Sequence, residues 1–274
     1  MAAGRDKVSK LRLDELLVRR SLFSTTDEAL RAIMAGDVSA AGRRLSFAGE
    51  RVREDLDVHV RGGSAYVGRG GLKLERGLEA FGVDPTGLAC LDVGCSTGGF
   101  TDCLLRHGAR SVLAVDVGYA QFAWSLRCDA RVELLERTNV VDLPTPERAG
   151  SIDLAVCDVS FTSVRTVLPA VAHLLASDGS FLTLVKPQFE AARADVGEGG
   201  VVRDADVQVG ALRSVAAACV ERGLSPRAAC PSPLRGHKGN REFLLLARAA
   251  GRSADAEGDL DLEAVVLRGA CVVA

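Results

Sequence analysis

The sequence feature that most constrains the fold is the stretch 91–102, where an apolar run ends at a carboxylate, turns on glycines and restarts as a helix. Glycine has no Cβ, so these glycines can adopt positive φ and let the backbone lie against a ligand. A helix that begins near Gly99 would offer free N–H groups at the same place. We therefore predict a ligand-binding turn lined by Asp92, Gly94, Ser96, Thr97, Gly98, Gly99 and Phe100.

Two further apolar runs support this prediction. The run 111–115 ends in Asp116, 17 residues after Gly99, about where an acidic residue meets ribose hydroxyls in a doubly wound sheet. The run 132–135 is followed by Asn139, which could hydrogen-bond an adenine edge or only stabilise a turn. We expect the nucleoside part of the ligand to contact Asp116, Val117 and Asn139.

The glycine spacing distinguishes two kinds of nucleotide ligand. Gly94-x-x-x-Gly98-Gly99 departs from G-x-G-x-x-G, the turn that brings a dinucleotide pyrophosphate onto a helix N-terminus. A looser loop headed by Asp92 suits a ligand with an amino acid end, because its ammonium group needs a carboxylate or carbonyl partner. S-Adenosylmethionine is such a ligand, and we expect it as the cofactor.

Length and composition exclude several classes of protein. The 274 residues are 47% apolar and 26% charged, which fits one large or two modest globular domains. No apolar run approaches the roughly 18 residues that cross a bilayer, and no signal-peptide pattern follows the charged start, so we expect a cytoplasmic protein without membrane contact. The eight cysteines include no C-x-x-C pair, which argues against metal sites and disulfides. A net charge of −2 confines any polyanion-binding surface to a local patch.

The sequence pattern divides the chain into two units. Residues 9–62 form a small unit and residues 63–68 a linker. Residues 69–250 form the larger unit, and residues 251–274 form a tail that we expect to be poorly ordered.

The small unit combines helices with short strands. Helices are predicted at about 12–20 and 26–35, and strands near 37–40 and 57–60. Thr25 and Glu28 have the spacing of a capping box, and Gly36 stands where the second helix should end.

In the larger unit, a helix through Phe81 precedes apolar strands that alternate with helices, which is the pattern of a parallel sheet. Seven strands are predicted, at 88–93, 111–115, 132–135, 152–157, 180–185, 225–229 and 242–247. Ligands bind such sheets outside the carboxyl ends of the strands.

Ionisable residues stand at several of these positions. Asp158 and Lys186 end apolar runs, Glu242 opens the last strand, and Lys73 lies in the helix before the sheet. A lysine that follows five apolar residues is costly unless it is paired, so Lys186 needs a partner. A structural Lys–Asp ion pair explains this pattern as well as catalysis does, and both interpretations stay open.

Five motifs occur in order along the chain, at 68–74, 92–101, 157–161, 184–190 and 239–243. They resemble the TlyA family, a branch of the FtsJ-like RNA ribose methyltransferases, over about residues 9–248. The resemblance implies an α/β fold: a Rossmann-like seven-stranded methyltransferase sheet with a small N-terminal α+β RNA-binding domain. It also implies a set of four residues that serves methylation of a ribose 2′-hydroxyl, namely Lys73, Asp158, Lys186 and Glu242.

The chemistry of ribose methylation agrees with these residue types. A ribose hydroxyl is a poor nucleophile at neutral pH, so a nearby group must help its proton leave. We take Lys186 as the candidate base, because burial and the second cation, Lys73, would both favour a neutral amine. Asp158 and Glu242 would orient the lysines and the ribose, and Asp158 would also lie near the methionine end of the cofactor.

The resemblance further implies ribosomal RNA or ribosomal subunits as partners, with cytidines as targets. It assigns the small unit to an RNA-binding module of the type named after ribosomal protein S-four. The basic residues expected to bind RNA are Lys7, Lys10, Arg12, Arg19, Arg20, Arg31, Arg69, Arg235, Lys238 and Arg241. Where such modules usually have Ser-Arg at the start of the second helix, this chain has Thr25-Thr26, which predicts a weaker phosphate grip.

Two other classes of protein remain as alternatives. A non-catalytic RNA-binding or ribosome-assembly protein would keep the basic residues but would not need the four ionisable ones. A cytolytic protein, a label attached to relatives of the family, should contain an amphipathic or membrane-spanning segment. The segment 168–175 is too short for that and is better explained as a buried helix.

Overall fold

The computed structural model describes residues 9–20, 22, 23, 25–60, 66–249 and 260–273. The N-terminal segment, residues 9–60, contains two helices and five short strands. In chain order these are β1 (Lys10–Arg12), α1 (Leu13–Arg19), α2 (Thr26–Ala35), β2 (Val38–Ala40), β3 (Arg43–Arg44), β4 (Arg51–Arg53) and β5 (His59–Val60).

Helix α2 begins and ends where the sequence predicts. The Thr25 side chain accepts a hydrogen bond from the backbone N–H of Glu28, which satisfies one of the donors that a helix start leaves open. Gly36 closes the helix in the left-handed conformation, at φ +79°. Both predicted end signals of α2 are confirmed.

The N-terminal segment has a hydrophobic core of its own. Leu13 and Leu17 of α1 and Ile33 of α2 are fully buried with Val38 of β2. Strand β1 pairs antiparallel with β4, and β2 lies between β3 and β5 in a second small sheet. The combination of two helices and short strands agrees with the α+β character expected for this segment.

The α-helices and strands of the larger unit and of the C-terminal segment follow in chain order. They are α3 (Gly70–Phe81), β6 (Ala89–Val93), α4 (Gly99–Arg106), β7 (Ser111–Asp116), α5 (Trp124–Arg127), β8 (Val132–Glu136), β9 (Ile152–Cys157), α6 (Val164–Leu174), β10 (Leu175–Val185), α7 (Pro187–Glu190), α8 (Ala205–Glu221), β11 (Leu224–Pro231), β12 (Phe243–Ala249) and β13 (Val272–Val273).

One large sheet orders the strands β13-β11-β12-β10-β9-β6-β7-β8. Strands β10, β9, β6, β7 and β8 run parallel, whereas β12, β11 and β13 pair antiparallel. The chain passes from β6 outward to β7 and β8 and then returns to β9 on the other side of β6, so the strand order reverses there. A crevice forms outside the carboxyl ends of strands at such a reversal, and it positions the site described below. The predicted α/β class with a large, mostly parallel sheet is confirmed. The predicted number of seven strands is wrong, because β13 adds an eighth strand at the edge of the sheet.

Helices cover both faces of this sheet. Leu74 and Leu78 of α3 pack with α4 on one face, and Leu168 of α6 and Leu212 of α8 pack on the other. Because β6 and β9 are covered on both sides, their residues are apolar almost without interruption.

The C-terminal segment corrects one expectation. The tail was expected to be poorly ordered, but residues 260–273 form a short π-helix, Ala264–Arg268, and the edge strand β13. Leu262, Val265 and Val266 are buried in the core cluster that includes α8. The segment is too short to show a helical period in the sequence, so its order depends on packing that the sequence pattern does not reveal. Residues 251–259 of the predicted tail, 63–65 of the predicted linker and Lys7 lie outside the described residues.

A buried valine in this segment tests its packing. Val265→Ala should lower the free energy of unfolding by about 2 kcal/mol, since it removes buried methyl groups and leaves a cavity. Urea unfolding followed by circular dichroism would measure this. The matched control is Leu267→Ala, because Leu267 is 62% exposed and its truncation should change stability by no more than roughly 0.5 kcal/mol. Equal effects of the two substitutions would contradict the packing described.

Candidate active site

The glycine-rich loop after β6 is shaped by contacts that leave no room for side chains. Gly94 adopts φ +81°, and a Cβ there would lie 3.0 Å from the carbonyl oxygen of Asp158. Gly98 adopts φ +95°, and its Cβ would lie 2.5 Å from Leu126. The loop therefore lies directly against the end of β9, as the sequence analysis requires of a turn built for close approach.

The same crowding joins two helices. A Cβ on Gly99 would lie 3.0 Å from the backbone nitrogen of Gly71 and 3.2 Å from the carbonyl oxygen of Gly68. The start of α4 therefore packs against the start of α3. This contact brings Lys73, on the first turn of α3, close to the glycine-rich loop that follows β6.

Asp92 is fully buried beneath this loop. Its Oδ2 accepts a hydrogen bond of 2.7 Å from the hydroxyl of Thr101, and its Oδ1 has no hydrogen-bond partner within the described part of the chain. Burial raises the pKa of the carboxyl to about 7, with further increases from the charges of Asp158 and Asp116, against a lowering by the Thr101 hydrogen bond. Buried oxygens normally accept a hydrogen bond, so this Oδ1, which lies under a loop that a ligand can approach, offers an acceptor to a polar group of a ligand.

Asp116 orders the loop from the neighbouring strand. Its Oδ2 accepts a 2.7 Å hydrogen bond from the backbone N–H of Ser96, and its Oδ1 accepts a 2.6 Å bond from that of Gly118. Val117 is 71% exposed. The exposed Asn139 accepts a hydrogen bond from the backbone N–H of Val141, so the turn-stabilising role is the one seen. Contact of these residues with a nucleoside stays a prediction.

The four ionisable residues form two ion pairs. Lys186 Nζ lies 2.6 Å from Asp158 Oδ1 and also donates a 2.9 Å hydrogen bond to the hydroxyl of Ser160. Lys73 Nζ lies 2.5 Å from Glu242 Oε2. Lys186 and Glu242 are buried, and Lys73 is nearly so. Side chains from segments that are distant in sequence thus meet at one place.

One expectation about Lys186 is wrong for this arrangement. We expected burial and the cation of Lys73 to favour a neutral amine. Burial does act in that direction, but the nearby charges of Asp158 and Glu242 and the hydrogen bonding of Asp158 together outweigh it, so the pKa of Lys186 lies above its ordinary value. Sequence position alone placed the lysine at the site but did not show that two carboxylates would face it.

A cavity of about 400 Å³ connects the glycine-rich loop to both ion pairs. Its lining includes Gly94, Ser96, Thr97, Gly99 and Phe100 from the loop, the four ion-paired residues, and the basic residues Arg69, Arg235 and Lys238. This is the size range of small-molecule sites. Arg241, also predicted to bind RNA here, points elsewhere: it lies over the ring of Phe243 and donates to the side chain of Gln208.

Two loops form the far wall of the cavity. Asn240 is buried and joins them, because its Oδ1 accepts from the backbone N–H of Val202 and its Nδ2 donates to the carbonyl of Gly200. Gly236 packs against the carboxylate of Glu242 so closely that a Cβ would overlap it. Residues 235–241, which precede β12, are therefore held against the site by these contacts.

Phe161 is a residue of the site that sequence reasoning missed. It adopts φ +64°, which is rare for a bulky side chain, and it is 93% exposed at the mouth of the cavity, with its ring 5.6 Å from that of Phe189. The motif 157–161 contained this phenylalanine, but nothing in the sequence indicates left-handed backbone or exposure there.

Comparison with known proteins places this geometry in a family. Residues 66–249 match the model of the FtsJ-like methyltransferases. A protein of Bacillus subtilis provisionally named an rRNA methyltransferase, YqxC, is 46% identical over 86% of this chain and 85% of its own length. The 16S/23S rRNA (cytidine-2'-O)-methyltransferase TlyA of Mycobacterium tuberculosis is 42% identical over 91% of this chain and 94% of its own.

This chain is a member of the FtsJ-like methyltransferase family, in its TlyA branch. A solved structure from Streptococcus thermophilus, provisionally named a hemolysin, is 38% identical, has a TM-score of 0.76 and covers 96% of each chain. The similarity therefore includes the N-terminal segment as well as the methyltransferase sheet.

The predicted RNA-binding residues of the N-terminal segment differ in exposure and in the groups that they contact. Lys10 and Arg31 are exposed. Arg12 pairs with Asp14 at 2.7 Å, and Arg19 pairs with Glu54 at 2.6 Å; both arginines are about half exposed. Arg20 instead donates to the backbone carbonyls of Leu56 and Glu54, so its guanidinium stabilises the fold of this segment. Their contact with RNA stays a prediction.

Within the described residues of this FtsJ-like chain, no helix combines the length and apolar character needed to span a membrane. Among the same residues, no cluster of histidine, cysteine and acidic side chains has the arrangement of a metal site.

The raised pKa of Asp92 predicts a pH-dependent stability. Below its ordinary pKa of 3.8 the carboxyl is neutral in both states; as pH rises toward about 7, the unfolded chain ionises first and folding loses stability. Asp92→Asn cannot ionise, so its free energy of unfolding should increase relative to wild type across that window, by roughly 4 kcal/mol at most. Urea unfolding at intervals from pH 4 to 8 measures the difference.

Thr101→Val is the companion variant. It removes the side-chain hydrogen bond that lowers the pKa of Asp92, so the loss of stability should extend to higher pH than in wild type. A difference between Asp92→Asn and wild type that stays constant with pH would show that this carboxyl does not titrate as described.

Proposed function

We propose that this protein transfers a methyl group from S-adenosylmethionine to a ribose 2′-hydroxyl of ribosomal RNA, with cytidine as the target nucleotide. The observation that carries the proposal is the meeting of two lysine–carboxylate pairs beside a glycine-rich loop in one cavity. Family membership adds the reaction class, and the relative from Mycobacterium tuberculosis has a name that specifies cytidine 2′-O-methylation of 16S and 23S rRNA.

The residues present fit the proposed cofactor. Gly94, Gly98 and Gly99 leave backbone open where side chains would collide, and the buried Oδ1 of Asp92 has no hydrogen-bond partner among the described residues. Ser96 and Thr97 would contact the amino acid end, and Asp116 would hold the ribose hydroxyls after exchanging one of its loop hydrogen bonds. S-Adenosylmethionine supplies a methyl group on a sulfonium, which is an electrophile without further activation.

The two ion pairs would orient the ribose, and the amine of Lys186 would accept the proton of its 2′-hydroxyl. Lys186 would hydrogen-bond the 2′-oxygen, and its position beside Asp158 keeps the amine fixed despite burial. Lys73, fixed by Glu242, would bind the same ribose or its phosphate from α3. The attacking oxygen would lose its proton to the amine of Lys186 when that amine is neutral. Because the pKa of Lys186 is raised, the neutral amine is a strong base, but only a small fraction of the lysine is neutral near pH 7.

RNA would reach the cavity from its open side. Arg69, Arg235 and Lys238 line the cavity, and their cationic side chains can neutralise phosphates. The exposed ring of Phe161 offers a plane for stacking a nucleobase moved out of its helix. The N-terminal segment would add affinity through Lys10, Arg12, Arg19 and Arg31, because surface ion pairs such as those of Arg12 and Arg19 cost little to exchange for phosphate.

Methyl transfer to separated ribosomal subunits tests the proposal. Subunits are incubated with methyl-labelled cofactor, and blocked 2′ positions are mapped on the RNA. The full chain should label RNA at defined cytidines. Lys186→Met, which keeps chain length without the amine, should reduce transfer by roughly 10²-fold or more, while calorimetry shows cofactor affinity within a few fold of wild type.

The control is Arg222→Met, which removes an exposed cation at the end of α8, far from the cavity in the fold. It should transfer methyl groups at the wild-type rate. Label on a base rather than a ribose, or wild-type turnover by Lys186→Met, would overturn the assignment; absence of any label would favour the non-catalytic alternative.

The pH dependence of the rate tests the role of Lys186. With a pKa above its ordinary value, Lys186 becomes neutral more often as pH rises, so single-turnover rates should increase from pH 6.5 to 9, approaching about tenfold per pH unit. Asp158→Asn removes a carboxylate that raises the pKa of Lys186. The rate of this variant should be lower than that of the wild type, and its pH profile should reach a plateau at a lower pH. Asp178→Asn, which alters an exposed carboxylate, should keep the wild-type profile. A flat wild-type profile would show that Lys186 acts as a fixed cation.

A further inference from the structure

Two cysteines outside the cavity lie opposite each other at the edge of the large sheet. Strand β13 pairs antiparallel with β11 in the register Ala228 to Val273 and Ala229 to Val272. Extending this register by one residue places Cys230 opposite Cys271. Residues directly opposite in an antiparallel pair have Cα atoms about 4.5–5.5 Å apart and side chains on the same face.

Contacts of the side chains agree with that placement. Cys230 is fully buried in the core cluster on the α3 face of the sheet. Arg76 of α3 donates to the sulfur of Cys271 at 3.1 Å, which places this sulfur on the same face. Burial raises the pKa of the Cys230 thiol to about 12, with the neighbouring charge and hydrogen bonding of Cys271 adding to the increase and Arg76 opposing it. The two sulfurs are therefore close enough to affect each other.

The two thiols differ in access. Cys271 is exposed, and Cys230 has no exposed surface. Both are free thiols in the structure. A small oxidant can therefore reach Cys271 first, whereas the sulfur of Cys230 is enclosed and faces its neighbour across the strand pair.

We infer that Cys230 and Cys271 form a dithiol–disulfide pair that fastens the C-terminal segment to the sheet when a low-molecular-weight disulfide is present. Their predicted Cα separation lies within the range of about 4.4–6.8 Å that a disulfide requires. The sequence spacing gave no sign of such a pair, because 40 residues lie between the two cysteines and only the β11–β13 register joins them.

The exchange is balanced in two steps. The sulfur of Cys271 attacks the small disulfide, whose S–S bond breaks and releases one thiol, leaving a mixed disulfide on Cys271. Cys230 then loses its proton and attacks the Cys271 sulfur, which releases the second thiol. The two cysteines are oxidised, and the small disulfide is reduced to two thiols.

Peptide mapping of the full chain after treatment with oxidised glutathione tests this. Remaining thiols are alkylated under denaturing conditions, and trypsin then releases Cys230 in 228–235 and Cys271 in 269–274. These two peptides should be found joined, at least about tenfold more abundant than glutathionylated 269–274. The exposed Cys128 is the internal control, because it has no partner cysteine in register and should retain glutathione.

Two variants sharpen the result. Cys271→Ser should leave Cys230 unmodified, and Cys128→Ser should leave the joined peptides unchanged. Oxidation should also raise the thermal midpoint of the wild type, but not of Cys271→Ser, by a few degrees, reversed by dithiothreitol. Stable glutathione on Cys271 with Cys230 still alkylated, or both cysteines alkylated, would overturn the proposal.

Discussion

The structure depends on the burial of Lys186 among the ends of apolar strands. An ammonium group taken out of water costs several kcal/mol unless charges of opposite sign face it. Asp158 provides that charge from the end of β9 on one side of β10, and Glu242 contributes from the start of β12 on the other side while pairing with Lys73. The two pairs thus hold together α3, β9, β10 and the start of β12, which are far apart in sequence. The contacts that offset the free-energy cost of burying Lys186 also bring four ionisable side chains into one cavity.

Steric constraints at glycines place the glycine-rich loop against these charges. Gly94 approaches the backbone of Asp158, and Gly99 approaches the backbone at Gly68 and Gly71. A methyl group at either position would push the loop away from β9 or separate α3 from α4. The loop and the ion pairs are therefore parts of one arrangement, because Asp158 belongs to both and α3 carries Lys73.

Local signals in the sequence predicted the elements that depend on local chemistry. Helix α2 follows from Thr25, Glu28 and Gly36, and the carboxyl ends of the strands follow from apolar runs that stop at Asp92, Asp116 or Asp158. Features that depend on tertiary contacts were beyond such reasoning.

Three results show that limit. The pairing of Lys73 with Glu242 joins residues 169 positions apart, the pKa of Lys186 depends on carboxylates from two other segments, and the C-terminal segment is ordered only by the core it completes. The left-handed backbone of Phe161 has no counterpart in the sequence pattern.

A structure of the full chain with S-adenosylhomocysteine and a short RNA oligonucleotide would test the central claim most directly. The account predicts the ligand sulfur in the cavity beside the glycine-rich loop, with the amine of Lys186 about 3 Å from the 2′-oxygen of a cytidine turned into the site. A ligand bound outside that cavity, or a 2′-oxygen held by other groups with Lys186 still enclosed by Asp158 and Ser160, would contradict it.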